Sequence, residues 1–228
     1  MATVAPATES LAPVSARKLQ PWLTAAEVLL FYACILTDIW RWQYSHPFVW
    51  VVFLAALLAS HWVHGDSLRD LGLTGFQLRA SAETILPVMT ALYAAALIIG
   101  LVSGCLEWVL LTRAAVVYFL AYGSWCLAQQ YLAQSYFHHR LMSLIRNRHL
   151  SSLLVAVMFG SAHIPNPILV AATTIGGFIF AETFARYRNI WPLALAQAVG
   201  GLLVAALTPA ALIHNMRVGP GYFFWGLR

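Results

Sequence analysis

Residues 83–103 read ETILPVMTALYAAALIIGLVS, a stretch in which Glu83, at the first position, is the only charged side chain. A helix of about 20 apolar residues spans the hydrocarbon core of a bilayer. Backbone groups in lipid must form hydrogen bonds within their own segment, so a helix is the expected element. The stretch therefore predicts a transmembrane helix.

The rest of the chain has the same character. Of its 228 residues, 61% are hydrophobic and 9% are charged, whereas a soluble domain carries roughly 25% charged residues. We predict an all-α polytopic transmembrane bundle at 22–210, a disordered cytoplasmic tail at 1–21 and an interfacial aromatic tail at 211–228. The segment 64–82 is predicted to be an amphipathic interfacial connection. The seven predicted spans are 22–40, 47–63, 83–103, 111–137, 150–165, 168–186 and 190–208.

The basic residues predict an orientation in what we expect to be a plasma (inner) membrane. With a cytoplasmic N-terminus, nine of the 13 Lys and Arg residues face inward, which agrees with the positive-inside rule. The same rule explains the net charge of +5, and no basic run with interleaved aromatics predicts nucleic-acid binding. The expected partner is the lipid bilayer, and the oligomeric state is left open. The inward residues are Arg17, Lys18, Arg69, Arg79, Arg140, Arg146, Arg148, Arg186 and Arg188.

Polar side chains inside the predicted spans are costly in lipid and are therefore candidates for function. Gln129 and His163 lie equally far along the chain from residue 146, in the loop that joins their spans. Since antiparallel helices rise equally per residue, both are predicted at the same depth. Gln130 and Gln197 are expected beside them, in one cavity open to the cytoplasm. The alternative is that these residues, and Gln134 above all, only hydrogen-bond one helix to another.

Residues 111–201 resemble the CAAX-protease and bacteriocin-processing family of intramembrane endopeptidases. The resemblance depends on the motif FGSAH, which places Phe159 and His163 at the family spacing, and on its distance from Gln129-Gln130. The upstream sequence LRDLGLTG at 68–75 is also similar to a loop of that family. The resemblance implies a core of transmembrane helices at about 111–201 and an endopeptidase acting on lipidated or transmembrane peptides.

The chain departs from the family pattern at the residues that carry the chemistry. Gln129 and Gln130 stand in place of a glutamate pair, and Gln134 stands in place of an arginine. Gln197 and Gly201 stand in place of a second histidine and its amide partner. An amide cannot act as a general base, so peptidase activity is not expected by the usual route. The alternative function is a non-enzymatic protein that binds a lipidated peptide, a lipid or a partner helix.

A metal ion is implied only by the resemblance. His163 is the one position that matches a ligand, and glutamine is a poor replacement for a carboxylate ligand. The remaining charged residues have simpler interpretations. His138, His139 and His149 are predicted to contact anionic headgroups at the membrane surface, although clustered histidines also occur in membrane di-iron enzymes. Glu182 is predicted to pair with Arg186 four residues later.

Overall fold

The structure, a computed structural model, describes residues 20–104 and 113–224, without the side chains of residues 113–118 and 210. Every element within these ranges is helical, which confirms the all-α prediction. The predicted disordered tail lies outside the described residues, apart from its last two positions. The α-helices are α1 Pro21–Thr37, α2 Val49–His64, α3 Leu78–Val102, α4 Arg113–Gln130, α5 His139–Leu144, α6 Arg148–Ser161, α7 Pro167–Tyr187, α8 Trp191–Leu207 and α9 Ala210–Ile213.

Two of these helices continue as wider π-helical segments. Asp38–Trp42 extends α1, and Tyr131–His138 joins α4 to α5 so that the chain stays helical from residue 113 to residue 144. A π-helical insertion rotates the residues that follow it and is frequent at functional sites. Here the insertion begins directly after the glutamine pair.

Each predicted span coincides with a helix to within a few residues. Three helices of the described chain are long and apolar enough to cross a membrane, namely Pro21–Trp42, Leu78–Val102 and Pro167–Tyr187. Val49–His64 and Trp191–Leu207 are apolar but shorter. Trp22, Trp50 and Trp62 are exposed on their helices, at 64%, 60% and 83%, as expected of a surface that faces lipid. The count of seven spans stays a prediction.

Three helices surround the C-terminal core. The side chain of Asn189, just before α8, donates to the carbonyl of Phe76, just before α3, and Tyr93 in α3 donates to the carbonyl of Ala196 in α8. These two contacts show that α3 and α8 run parallel. Gln130, at the end of α4, contacts Gln197 in α8, so α4 packs against the same helix.

The helices α6 and α7 form a close antiparallel pair because small residues line their interface. A Cβ atom on Gly160 of α6 would lie 1.9 Å from the hydroxyl of Thr174 in α7, and one on Gly177 would lie 3.4 Å from the Cα of Ala156. Small residues at such positions let helix backbones approach each other in membranes. The pairing fixes the wall that carries Phe159 and His163.

The connection between α2 and α3 differs from the predicted amphipathic segment. Residues 65–77 form turns, and Leu71 is buried at 4% exposure. The hydroxyl of Ser135 donates to the carbonyl of Leu71, and the backbone amide of Ile190 donates to the carbonyl of Gly72. Backbone hydrogen bonds to two helices, rather than a lipid-facing apolar stripe, therefore determine how this loop is placed.

Substituting Gly72 by alanine should destabilise the protein. Gly72 has φ +70°, and a Cβ atom there would lie 2.8 Å from the ring of Phe184 and 3.0 Å from the backbone of Arg188. The left-handed conformation alone costs a residue with a side chain about 1–2 kcal/mol. We expect a lower midpoint of thermal unfolding in detergent. Gly75→Ala is the matched control because a Cβ atom at Gly75 meets nothing within 4 Å; equal midpoints for the two variants would contradict this account.

Candidate functional site

Three glutamine side chains form a continuous hydrogen-bonded chain between α4 and α8. The amide nitrogen of Gln130 donates to the side-chain oxygen of Gln197 at 2.6 Å, and the amide nitrogen of Gln197 donates to the side-chain oxygen of Gln129 at 2.5 Å. Gln130 is fully buried, and its own side-chain oxygen has no hydrogen-bond partner. The structure thus brings together three of the residues singled out in the sequence.

Gln129 and Gln197 border a cavity of about 500 Å³ between α3, α4, α6, α7 and α8, whereas Gln130, which the sequence predicted beside them, does not line it. Gln129, Gln197 and His163 all line it. The rest of the wall is mainly apolar and aromatic, and within residues 20–104 and 113–224 no Asp, Glu, Lys or Arg side chain is in the lining. The volume lies in the range of about 300–1,000 Å³ that is typical of small-molecule sites. Further lining residues are Met89, Tyr93, Tyr122, Trp125, Phe159, Thr173, Phe180 and Leu207.

The ring of His163 has a defined tautomer in this cavity. Its Nδ1 atom lies 2.7 Å from the carbonyl oxygen of Phe159, which can only accept a hydrogen bond. Nδ1 therefore carries the hydrogen, and a neutral ring leaves Nε2 as an acceptor. Thr173 lies 3.3 Å from the same Nδ1 and donates its own hydroxyl hydrogen to the carbonyl of Leu169. The four-residue spacing of the motif therefore places the Phe159 carbonyl where it can orient the ring of His163.

Two adjacent glycines of α8 accommodate tyrosines from the neighbouring helices. A Cβ atom on Gly200 would lie 2.6 Å from the hydroxyl oxygen of Tyr93, and one on Gly201 would lie 1.9 Å from that of Tyr122. A side chain at position 201 would therefore collide with Tyr122. The family's amide residue at this position has no space here.

Gln134 lies elsewhere, although it occupies a family motif position. It is buried at 1% exposure and its side-chain oxygen lies 3.1 Å from Nδ1 of His138. Nε2 of His138 lies 3.3 Å from the hydroxyl of Ser152 in α6. Gln134 is absent from the cavity lining. Gln134 therefore contacts His138 within its own helical segment, and His138 makes the contact to α6.

The cavity extends toward the end of the bundle opposite the 138–149 loop. Its lining includes Ser103 after α3, Thr208 after α8, and Met216 and Val218 in the C-terminal segment, but no residue of 138–149. The expected opening on the side of that loop is therefore wrong for this cavity. At that end Asn166 holds the C-terminal segment against the bundle, donating to the carbonyl of Ile213 at 2.7 Å, and residues of this segment form part of the cavity wall.

The residues of the cavity do not fit a catalytic metal ion. Zinc sites in enzymes use three protein ligands chosen from His, Cys, Asp and Glu. His163 is the only such residue among the described lining residues, and the side-chain oxygen of Gln129 already accepts from Gln197. Across residues 20–104 and 113–224, no group of three His, Cys, Asp or Glu residues is placed to hold a metal.

A second polar group, which the sequence did not reveal, surrounds Asp66. Its carboxylate accepts hydrogen bonds from Arg140 at 2.6 Å, His61 at 2.7 Å and His139 at 3.1 Å. The side chains of Asp66 and Arg140 are each 3% exposed. Burial alone would raise the pKa of Asp66, but hydrogen bonds from His139, His61 and Arg140 lower it below its usual value. We call Asp66, His61, His139 and Arg140 the Asp66 cluster.

The structure corrects the prediction of headgroup contacts for His138 and for His139, which belongs to the Asp66 cluster, but not for His149, whose side chain is 66% exposed. His138 and Arg140 are buried at 0% and 2% exposure. Arg188 donates to Nδ1 of His139 at 2.6 Å, so the Nε2 hydrogen of His139 is the one donated to Asp66. No sequence pattern indicated this group, because Asp66 and Arg140 are 74 residues apart. Several of their donors and acceptors are used within the cluster, as in a structural network, while Nε2 of His61 and Nε of Arg140 are buried without a hydrogen-bond partner among the described residues.

Two acidic residues inside predicted spans have partners that the sequence did not indicate. Glu27 in α1 accepts hydrogen bonds from Tyr136 at 2.8 Å and His64 at 2.8 Å. Glu182 in α7 lies 3.0 Å from His149 and 3.4 Å from Arg148. The predicted pair of Glu182 with Arg186 is therefore replaced by partners from the next helix. Neither acid lines the cavity.

Comparison with protein families matched residues 115–203 to the family described as Rce1-like, type II CAAX prenyl endopeptidase Rce1-like. The match confirms the resemblance identified from the motifs, and it includes the glutamine pair, FGSAH, Gln197 and Gly201. No curated protein and no solved structure matched the chain.

Proposed function

We propose that this chain, an integral membrane protein that belongs to the CAAX-protease family through residues 115–203, binds an apolar ligand in the family's cavity instead of hydrolysing a peptide. The hydrogen-bonded chain of Gln130, Gln197 and Gln129 is the observation that carries this proposal. It occupies the positions of the family's acid pair and second histidine. Amide side chains at these positions keep the surface polar, but they cannot take a proton from water as a general base does.

Hydrolysis needs a general base within hydrogen-bond reach of the attacking water. The two acids described above, Glu27 and Glu182, are bound to other side chains and lie outside the cavity lining. His163 could polarise a water molecule by itself, but nothing in the lining would stabilise the positive charge that its ring would gain. The cavity is therefore better suited to binding than to catalysis.

The wall of the cavity favours a ligand that comes from the bilayer. Ile99 and Trp125 line the cavity and are also exposed, at 66% and 58% of their surface. They belong to α3 and α4, so the cavity can be reached sideways between these helices. A ligand dissolved in the membrane would enter without crossing a polar surface. We keep a cytoplasmic N-terminus as part of the proposal, on the distribution of basic residues.

Occupancy of the cavity can be tested by native mass spectrometry after extraction from membranes in mild detergent. The blocking variant is Gly176→Leu, since Gly176 lines the cavity and a Cβ atom there makes only an ordinary contact of 3.6 Å with Phe180. We expect the wild type to retain a noncovalent small molecule that this variant loses.

The matched control is Gly123→Leu in α4. Gly123 is outside the cavity lining, and a Cβ atom there meets nothing within 4 Å. It makes the same change in side chain without filling the cavity, and should retain the bound molecule. The proposal would be wrong if Gly176→Leu and the wild type carried the same adducts, or if the wild type carried none.

A further inference from the structure

We propose that the cavity selects an uncharged long-chain lipid whose polar end both accepts and donates a hydrogen bond, that is, a free alcohol or an amide. This inference rests on the proposed binding function and deepens it by naming the ligand class. Three features of the cavity support it: its lack of charge, a donor and an acceptor that are free in its wall, and its access from the bilayer.

The first feature is the absence of a counter-ion. Of the side chains that the structure describes, no Asp, Glu, Lys or Arg belongs to the cavity lining. Burying an ionised headgroup without a partner of opposite charge is strongly unfavourable in an apolar site. Carboxylates, phosphates and quaternary amines are therefore poorly matched. The free carboxylate of a peptide C-terminus belongs to this excluded class.

The second feature is a complementary pair of hydrogen-bonding groups. The side-chain oxygen of Gln129 accepts from Gln197, whereas its amide nitrogen donates to no described residue and is available to the cavity. Nδ1 of His163 donates to the carbonyl of Phe159, so Nε2 is available as an acceptor. One donor and one acceptor match the hydrogen-bonding capacity of a hydroxyl or an amide group. An ether or an ester would satisfy only the donor.

The third feature is the long apolar part of the cavity. From Gln129 and Gln197 the lining continues along α3 and α8 to Ile99, Leu203 and Leu207. A hydrocarbon chain placed there would bury apolar surface against these residues and gain favourable transfer free energy. The polar end of the ligand would lie at Gln129, and its chain would extend toward the end of α8.

The test uses five probes that share one saturated C16 chain with a diazirine at the same carbon. Their polar ends are a primary alcohol, a primary amide, a methyl ether, a phosphate and a trimethylammonium group. The purified full-length protein in lipid nanodiscs is irradiated with each probe, and labelled peptides are identified by mass spectrometry. Gly176→Leu and Gly123→Leu serve as the blocking and control variants.

We expect labelling of cavity residues by the alcohol or the amide to exceed labelling by the ether and both charged probes about tenfold or more, since a lost hydrogen bond leaves a partner unpaired. The ratio of alcohol to amide labelling identifies which of the two sources is preferred. Gln129→Leu should weaken labelling by the alcohol and by the ether alike, because both accept from the Gln129 amide, whereas His163→Leu should abolish the preference for the alcohol over the ether.

Two negative outcomes have different meanings. Equal labelling of the cavity by all five probes would contradict the proposed selection of headgroups but would still agree with the proposed binding function. Cavity labelling that is absent for every probe, or that persists unchanged in Gly176→Leu, would overturn the binding function itself. If Gln129→Leu does not fold, the comparison of the five probes on the wild type still decides the question.

Discussion

Replacing Asp66 by asparagine is expected to lower the free energy of unfolding by about 3–5 kcal/mol, as is typical when one partner of a buried ion pair is removed. The carboxylate accepts from Arg140, His61 and His139, and both members of the ion pair are 3% exposed. Asparagine would leave the buried Arg140 charge with Glu27, at 3.9 Å, as its remaining counter-ion. Unfolding titrations with SDS in mixed micelles would measure the change.

The control for this substitution is Glu83→Gln, which also converts an acid to its amide. Glu83 pairs with Arg79 on the surface of α3, where the two side chains are 62% and 91% exposed. Exposed pairs contribute about 0–1 kcal/mol, so little change is expected. Similar decreases in the free energy of unfolding in the two variants would show that Asp66 does not stabilise the protein more than an exposed acid does.

The effect of Asp66→Asn should also depend on pH. The folded protein holds the pKa of Asp66 below its usual value, so the native carboxylate contributes stability above the unfolded pKa of about 3.9. This contribution is lost as the pH falls further, toward the folded pKa. The difference in the free energy of unfolding between the wild type and Asp66→Asn should be largest at neutral pH and should decrease only below about pH 4.

Restoring a carboxylate in the cavity should destabilise the protein rather than restore the family's chemistry. A charged residue near the centre of a transmembrane helix costs about 2.5–3.5 kcal/mol on insertion scales. Gln129→Glu would place such a charge in a lining that contains no cation. We expect a comparable loss in the free energy of unfolding, measured by the same SDS titration.

Two variants isolate the charge from other effects of this substitution. Gln20→Glu introduces the same group at an exposed position before α1, and should have little effect. Gln129→Met removes the amide without adding charge, and should cost less than Gln129→Glu. A Gln129→Glu protein as stable as the wild type would mean that the cavity already contains a compensating positive charge.

The sequence was sufficient to locate the helices and three of the cavity's polar residues. Apolar blocks set the helix bounds because every backbone group in lipid must bond within its own segment. The pairing of Gln129 with His163 at one depth followed from the helical rise alone. Both residues line one cavity, and Gln197 joins them through its hydrogen bond to Gln129.

The direction of the cavity and the Asp66 cluster could not be predicted in this way. Depth along a helix says nothing about which end of a cavity is closed, and this depends on the C-terminal segment that Asn166 holds in place. Asp66 and Arg140 are brought together by the packing of a loop on α5, without any local sequence pattern. From sequence alone, a charged residue in a predicted loop is assigned to the surface, because its distant partners in the fold are not known.

The most direct test of the central claim is a proteolysis assay of the purified protein in detergent, with prenylated CAAX peptides and transmembrane peptides as substrates. General-base catalysis typically contributes about 10²–10⁴ in rate, and the cavity lining holds the amide of Gln129 at one position of the family's acid pair. We predict no cleavage above the background without protein, for the wild type and for His163→Ala alike. Wild-type turnover that disappears in His163→Ala would contradict the account, because it would show that His163 catalyses peptide hydrolysis without a carboxylate.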